Sequence, residues 1–209
     1  MTGRPLGRVV VLTDRLQAEA AGHRLVDLAA AVAGAGADTL VFREKDLPED
    51  PRRRLAADVA GAIDPTATRL VIASDVALAR DLGAVGVHLA ASDPSLVADD
   101  IVVGRSCHDE AEVDRAVEER ADLVTVSPIR LTASKPGHGP ALGPTRGASL
   151  VGGRLPGYAL GGIEAAQVEE CLAAGFAGVA IMGAVNRAGD PARVVRDVVD
   201  RARATVGAP

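Results

Sequence analysis

The stretch Leu40–Asp46 reads Leu-Val-Phe-Arg-Glu-Lys-Asp, an apolar run that ends abruptly in four charged residues. The apolar run is typical of a buried strand in a parallel sheet. Because side chains alternate along a strand, Arg43 and Lys45 are predicted to share one face and Glu44 to oppose them. Two neighbouring cations at a strand's carboxyl end suit a phosphate or diphosphate. A solvated strand end with local ion pairs would have the same sequence, so the rest of the chain must decide.

Short apolar runs like this one recur along the chain. The predicted strands are Arg8–Thr13, Asp38–Arg43, Leu70–Ala73, Val85–Leu89, Ile101–Ser106, Asp122–Val126, Tyr158–Leu160 and Ala177–Met182. Helical patterns alternate with them at about Leu25–Val32, Pro51–Ile63, Asp75–Gly83, Pro94–Val97, Asp109–Glu119, Pro144–Val151, Glu164–Ala173 and Pro191–Ala204. Eight such units in 209 residues, with no linker-like stretch, predict an α/β chain folded as a single (β/α)8 TIM barrel domain over residues 1–209. A doubly wound open sheet is the alternative, but it seldom has eight evenly spaced strands.

The composition excludes several classes of function. A net charge of −5 argues against nucleic acid as the main partner, and three aromatic residues are too few for a base-stacking surface. No apolar run is long enough to span a membrane, and the N-terminus lacks the apolar region of a signal peptide. Cys107 and Cys171 lack the paired spacing of a zinc site, so we interpret them as reduced thiols of a cytoplasmic protein.

In a TIM barrel the site lies at the carboxyl ends of the strands, so the residues that follow each strand are the candidates. Asp75 and Asp93 follow strands three and four, and they would face the cations Arg43, Lys45 and Lys135. Carboxylates together with phosphate oxygens are the usual ligands of Mg²⁺, so a magnesium–diphosphate site is predicted. As alternatives, Asp75 and Asp93 are equally suited to capping helices.

Glycines follow the last two strands. Gly161, Gly162 and Gly183 carry no side chains that would keep an anion from the backbone N–H groups, and barrels often bind phosphate at this place. Strand five ends near Ser106 and His108, and His108 could simply pack at the strand–helix junction. The loop from Ile129 to Gly143 is rich in Gly and Pro, and it is either a lid or a long connection.

Taken in order, these pieces resemble the thiamine phosphate synthase and thiazole tautomerase superfamily, and thiamine phosphate synthase most closely. The resemblance covers nearly the whole chain. It is carried by Val41–Lys45, Ser74-Asp75, Gly86–Leu89 with Asp93, Gly104–His108, Ser127–Ile129 with Thr132–Lys135, and Leu160–Ile163.

This resemblance implies a (β/α)8 enzyme that joins hydroxymethylpyrimidine diphosphate to thiazole phosphate and releases diphosphate, with Mg²⁺ as cofactor. By the resemblance, Arg43, Lys45 and Lys135 hold the diphosphate, Asp75 and Asp93 bind Mg²⁺, and Ser106 lies beside the reacting ring. Val41 and Ser74 occupy the positions that read the pyrimidine. The thiazole phosphate would contact Thr132, Ser134, Gly161, Gly162, Met182 and Gly183.

The chain departs from the family pattern at five places, two of which are residue pairs. Val41 replaces a Gln that reads the pyrimidine, and Ser74 replaces an Asn. Ala90-Ala91 stand for Gly-Gln, Arg130-Leu131 for Phe-Pro, and Gly183 for a Ser near the last phosphate site. The expected diphosphate and metal residues are therefore present more fully than the residues that read the pyrimidine base.

Three other functions remain open at this point. A thiazole tautomerase would need its histidine where this chain has Pro128, which cannot act as an acid or base. A non-catalytic binder of a phosphorylated ligand would explain the lost Gln and Asn. Another phosphate-handling barrel enzyme could share the site's outline. The expected partners are small phosphorylated substrates, and the oligomeric state, a homo-oligomer included, is not fixed by the sequence.

Overall fold

The computed structural model of the protein describes residues 6–131 and 140–205. In this part of the chain eight parallel strands close into a barrel in the order β1 to β8, which confirms the predicted (β/α)8 fold. The strands are β1 Val9–Leu12, β2 Thr39–Phe42, β3 Arg69–Ala73, β4 Gly86–Leu89, β5 Val102–Cys107, β6 Leu123–Val126, β7 Gly157–Leu160 and β8 Gly178–Ile181. The barrel closes where β1 pairs with β8, with Val10 opposite Ala180.

The helices surround this barrel. They are α1 Arg15–Ala20, α2 Leu25–Gly34, α3 Glu49–Gly61, α4 Val76–Asp81, α5 Glu110–Glu118, α6 Pro144–Val151, α7 Val168–Ala173, α8 Gly183–Asn186 and α9 Pro191–Ala204, with a 3₁₀ turn at Ala165–Gln167 before α7. Aspartates cap several of them, and Asp190 at the start of α9 accepts from the Arg193 backbone N–H. The two helices Pro144–Val151 and Pro191–Ala204 have the predicted bounds.

Alternation along each strand divides the core into two parts. In β1, Val9 and Val11 belong to the large cluster between barrel and helices, whereas Val10 and Leu12 belong to the cluster inside the barrel. Tyr158 of β7 also lies inside, fully buried, and its hydroxyl donates to the Gly7 carbonyl at 2.9 Å. This two-sided burial explains why the strands are continuous apolar runs.

One predicted helix is wrong. Residues 90–101, all of which the structure describes, contain no helix, although Pro94–Val97 was expected to form one. This β4 loop, as we call residues 90–101, is instead held by side chains from β5 and α5. Two short helices, α1 and α8, were not foreseen because each is one turn or little more.

None of the helices within the described ranges is long and apolar enough to cross a membrane. Cys107 and Cys171 are both free and buried. Burial raises the pKa of Cys107 to about 12 and that of Cys171 to about 11, so both thiols stay protonated at neutral pH. Neither sulfur is suited to nucleophilic chemistry.

Candidate functional site

A cavity of about 990 Å³ opens at the carboxyl ends of the strands, where the fold predicts a site. Its volume is at the upper end of the range for small-molecule sites, which leaves room for two substrates. Of the predicted site residues, those that line it are Val41, Arg43, Lys45, Ser106, Gly161, Gly162, Met182 and Gly183. The structure thus brings residues from β2, β5, β7 and β8 to one mouth.

The end of β2 is fixed from beneath by two buried polar residues. Thr13 Oγ1 donates to Glu44 Oε1 at 2.6 Å and accepts from the Arg43 backbone N–H at 2.9 Å. The other Glu44 oxygen accepts from the Arg15 N–H at 2.9 Å. Burial raises the pKa of Glu44. Because Glu44 is held on the buried side, Arg43 and Lys45 are directed into the cavity, as strand alternation predicts.

Asp93 joins the β4 loop to the β2 cations. Lys45 Nζ lies 3.9 Å from Asp93 Oδ2, which also accepts from the Ala90 N–H at 2.7 Å and from the Ser74 hydroxyl. Burial would raise the pKa of Asp93, but the hydrogen bonds from Ser74 and Ala90 and the charge of Lys45 outweigh it and lower that pKa. Asp93 is therefore ionised at neutral pH and faces a cation.

Ser74 and Asp75 lie behind this cluster rather than on the cavity wall. Ser74 has a left-handed backbone with φ of 59°, which is uncommon for a residue with a side chain. Asp75 caps α4 by accepting from the Leu78 N–H at 2.9 Å, and its second oxygen pairs with Arg52 Nη1 at 3.2 Å. The capping role considered for Asp75 is therefore present, and its role as a magnesium ligand stays a prediction.

The β4 loop is held by Arg105, a β5 side chain that is 1% exposed. Its Nη1 donates to the carbonyls of Ala90 and Asp93, each at 3.0 Å, and its Nη2 donates to the Pro94 carbonyl at 3.1 Å. Nη2 also lies 2.7 Å from Glu119 Oε2 at the end of α5. One buried guanidinium thus satisfies three carbonyls of the loop, and it fixes the backbone that carries Asp93.

His88 lies on the floor of the cavity, inside the barrel. The imidazole fits there because its neighbour Gly104 has no side chain: a Cβ at Gly104 would lie 3.0 Å from His88 Cδ2. His88 Nε2 is 3.1 Å from Thr125 Oγ1. Burial, together with the charges of Lys45 and Arg43, lowers the pKa of His88 to about 4. His88 is therefore neutral at pH 7 and adds no further positive charge beneath the two cations.

The wall formed by β7 and β8 consists mainly of backbone. Gly161 and Gly162 have positive φ angles of 94° and 65°, and a Cβ at Gly162 would lie 2.7 Å from the Leu131 carbonyl oxygen. Only glycine fits this conformation and this close approach. Met182 and Gly183 follow β8 and line the same side.

Several cavity residues were not predicted from the sequence. Arg146 of α6, Glu164 before α7 and Arg187 after α8 line the mouth. His108, which the sequence did place at the end of strand five, also lines it, and its Nδ1 is 2.7 Å from the Ser127 carbonyl oxygen. Arg187 gave no sequence signal, because it follows a helix of one turn. His88 did give one, as a polar residue at an inward position of an otherwise apolar strand. Thr132, Ser134 and Lys135 lie outside the described residues, and their roles stay predictions.

Comparison with known proteins places this chain in a family. A family model described as thiamine monophosphate synthase matches residues 9–185, most of the chain. A thiamine-phosphate synthase of Methanoculleus marisnigri is 38% identical over 202 residues, covering 91% of this chain and 93% of that protein. A bifunctional thiamine biosynthesis protein of Symbiobacterium thermophilum is 35% identical over 214 residues, which cover 97% of this chain and 44% of that longer protein.

The fold has solved counterparts as well. The structure of a thiamine phosphate pyrophosphorylase from Pyrococcus furiosus matches with a TM-score of 0.84 and covers 97% of this chain and 98% of its own. Its sequence identity of 20% supports a shared fold and no more. The family follows from the sequence matches, and the barrel from both comparisons.

Proposed function

The chain belongs to the thiamine monophosphate synthase family and is a transferase, and we propose that it couples hydroxymethylpyrimidine diphosphate with thiazole phosphate. The products are thiamine phosphate and diphosphate. One observation carries the proposal: Arg43, Lys45 and Asp93 converge beside the cavity, with Lys45 Nζ 3.9 Å from Asp93 Oδ2. A leaving diphosphate needs such fixed cations, whereas an isomerisation without a leaving group does not.

The proposed reaction breaks the bond between the pyrimidine methylene and the diphosphate oxygen, and that electron pair leaves with the diphosphate. The thiazole nitrogen supplies the pair for the new C–N bond. Negative charge develops on the leaving group, and Arg43 and Lys45, which line the cavity above the Thr13–Glu44 contact, are proposed to stabilise it. Such preorganised charges stabilise a transition state most when water is excluded. Ser106, on the cavity wall, is proposed to contact the reacting ring.

Magnesium is part of the proposal. The hard oxygens of Asp93, Asp75 and Ser74 suit Mg²⁺, which commonly takes one or two carboxylates and completes its shell with phosphates and waters. Among the residues that the structure describes, no group of three or more His, Cys, Asp or Glu side chains is placed to hold a metal. Substrate oxygens would therefore complete the shell, and the ion, when bound, would neutralise charge on the diphosphate.

The remaining residues divide the cavity between two substrates. Val41, which is buried on the cavity wall, is proposed to pack against the pyrimidine, with Ser74 behind it. The backbone of Gly161, Gly162 and Gly183 beside Met182 is proposed to bind the thiazole phosphate. Lys135, Thr132 and Ser134 keep the roles that the family resemblance implies.

The test is an assay of diphosphate release by the purified protein. Release should require the pyrimidine diphosphate, the thiazole phosphate and Mg²⁺ together, and chelation of the metal should abolish it. Release that is independent of the thiazole would indicate a hydrolase instead. Tight binding of both substrates without release would indicate a non-catalytic binder. Isomerisation of a thiazole carboxylate phosphate would indicate the tautomerase.

We further propose a cytoplasmic setting. The support is the pair of buried, free thiols at Cys107 and Cys171, which fits a reducing compartment. Fractionation of cells that express the protein would test this, and recovery outside the cytoplasm would contradict it. Sedimentation of the purified chain would show whether it forms a homo-oligomer.

A further inference from the structure

The wall after β8 carries a cation, Arg187, to which neither the fold nor the sequence pattern gives a role. Arg187 lines the cavity together with Gly183, four residues earlier. A Cβ at Gly183 would lie 2.7 Å from Arg187 Nη2 and 2.8 Å from Cζ, so the guanidinium occupies the space that any side chain at Gly183 would need. The guanidinium of Arg187 can therefore take this position only because residue 183 is a glycine.

The arginine is oriented by a chain of polar contacts. Arg187 Nη1 donates to Gln17 Oε1 at 2.5 Å, and Gln17 Nε2 donates to Asp14 Oδ2 at 2.5 Å. The preceding residue, Asn186, is fully buried; its amide nitrogen donates to the Leu12 carbonyl at 2.9 Å, and its oxygen accepts from the Asp14 N–H at 3.0 Å. The backbone that carries Arg187 is therefore fixed to the end of β1.

This placement separates two positive regions of one mouth. Arg43 and Lys45 follow β2, whereas Arg187 lies beyond β8, next to the glycine wall of Gly161 and Gly162. Among the described residues Arg146 of α6 is a further cation of the wall, and cations at separate places in a chain of net charge −5 suit separate anionic groups. A planar guanidinium is especially suited to a phosphate monoester, to which it can donate two parallel hydrogen bonds.

We propose that Arg187 binds the monoester phosphate of the acceptor substrate and that Gly183 is glycine so that the guanidinium can reach this position. This inference rests on the proposed function for the identity of the acceptor, the thiazole phosphate. It assigns to Arg187 the discrimination between a phosphorylated acceptor and its unphosphorylated alcohol. If Arg187 is only a surface residue bonded to Gln17, that discrimination will not depend on it.

The first experiment measures acceptor binding directly, by calorimetry without the pyrimidine diphosphate. Arg187→Ala should weaken binding of the thiazole phosphate by about 10- to 100-fold, the effect of a charged hydrogen bond. Binding of the thiazole alcohol should not change. Arg187→Lys should lose less, because it keeps the charge. Arg193→Ala, a change at an exposed arginine of α9 outside the cavity wall, is the matched control and should bind both ligands as wild type does.

The second experiment tests the pairing of Gly183 with Arg187. Gly183→Ser should weaken phosphate binding in the wild-type background, since its side chain displaces the guanidinium. In the Arg187→Ala background the same substitution should cause no further loss. Additive losses would overturn the pairing. Thermal unfolding of each variant shows whether the barrel is intact, and Arg187→Ala alone tests the proposal if Gly183→Ser does not fold.

The two proposals fail separately. If wild type releases diphosphate but Arg187→Ala binds thiazole phosphate as tightly, the inference on Arg187 is wrong and the coupling reaction stands. If wild type binds thiazole phosphate through Arg187 but releases no diphosphate, the coupling reaction is wrong and the inference stands. Equal weakening of the phosphate and the alcohol would also overturn the inference, since it would mean that Arg187 does not contact the phosphate.

Discussion

The two sides of the cavity mouth are built in different ways. On the side of β2 to β4, charged side chains line or approach the cavity, and buried partners behind them set their direction: Thr13 and Glu44 behind Arg43, and Arg105 behind the backbone of Asp93. On the side of β7 and β8, glycines leave the backbone bare, and Arg187 lies over one of them. On the β2–β4 side, buried partners hold the charged side chains in place. On the β7–β8 side, the lack of side chains on the glycines leaves space for Arg187.

This difference predicts which substitutions each side of the mouth will not tolerate. The β2–β4 side depends on buried polar contacts, so its variants should lose stability or transition-state binding. The β7–β8 side depends on space, so added atoms should be harmful there. Four predictions test the β2–β4 side of this contrast, beginning with the largest effect.

Arg105→Met should have the largest effect. It removes the cation 2.7 Å from Glu119, whose side chain is 15% exposed, and leaves only Arg115 at 3.9 Å. Breaking a buried ion pair in this way costs about 4 kcal/mol of the free energy of unfolding. Urea denaturation measures it. Adding Glu119→Leu should recover much of the stability but not the coupling activity, because the carbonyls of the β4 loop remain unbonded. Full recovery of activity would show that Arg105 does not position Asp93.

Arg43→Ala should lower kcat for coupling by about 10²- to 10³-fold, the usual effect of removing one preorganised charge at a transition state. Arg43→Lys should retain part of the activity, because it keeps the charge but loses bidentate geometry. Steady-state kinetics of diphosphate release is the measurement. Arg24→Ala, a change at the exposed residue just before α2, is the control. A change in KM with kcat unchanged would mean that Arg43 binds the substrate and the transition state equally, and would contradict the prediction.

His88 should make stability depend on pH. Its folded pKa of about 4 lies below the ordinary histidine pKa of 6.5, so between these values the unfolded chain binds a proton that the folded chain does not. The free energy of unfolding should therefore fall as the pH is lowered through this window, by about 3 kcal/mol in all. Glu44, whose folded pKa is raised, acts in the opposite direction.

The contribution of His88 can be isolated by comparing wild type with His88→Gln. The variant should lack the component of pH dependence between pH 6.5 and 4, while the contribution of Glu44 remains in both proteins. Denaturation midpoints at several pH values provide the measurement. An NMR titration that finds His88 protonated near pH 6.5 would contradict the predicted neutral imidazole.

Ser74 should show the smallest effect. Ser74→Gly and Ser74→Ala both remove the hydroxyl that Asp93 accepts from, but only glycine relieves the left-handed backbone at φ 59°. The glycine variant should be more stable than the alanine variant by about 1 kcal/mol. Thermal unfolding of the two proteins measures this difference. Equal stability would mean that the backbone at Ser74 relaxes in the alanine variant.

Much of the fold was predictable because its causes are local. A continuous apolar run of four to six residues indicates a strand buried on both faces, and Asp190 before Pro191 marks the start of α9. The helix predicted at Pro94–Val97 failed for a reason that is not local. Arg105 bonds the carbonyl of Pro94 and that of Asp93 just before it, and Glu119 bonds the Ser95 hydroxyl. Both side chains lie beyond the loop in sequence.

The residues of the candidate site also differ in whether their positions have local causes. Arg43 and Lys45 stand at a strand end and could be found by position alone. Arg187 could not, because its place over Gly183 depends on where β8 meets β1 and on a contact with Gln17, 170 residues away. His88 is intermediate: its inward position follows from strand alternation, but its low pKa depends first on its burial in the folded barrel and then on the charges of Lys45 and Arg43.

The seam between the first and last strands has a consequence for synthesis on the ribosome. Asn186 bonds the Leu12 carbonyl and the Asp14 N–H, so the end of β1 stays incomplete until the final quarter of the chain emerges. A nascent chain that ends before β8 already contains Thr13, Arg43 and Glu44, yet it lacks β8, Asn186 and Arg187. The wall of the mouth is therefore complete only when nearly the whole chain has been synthesised, and a product truncated before β8 has the β2 cations without the opposite wall.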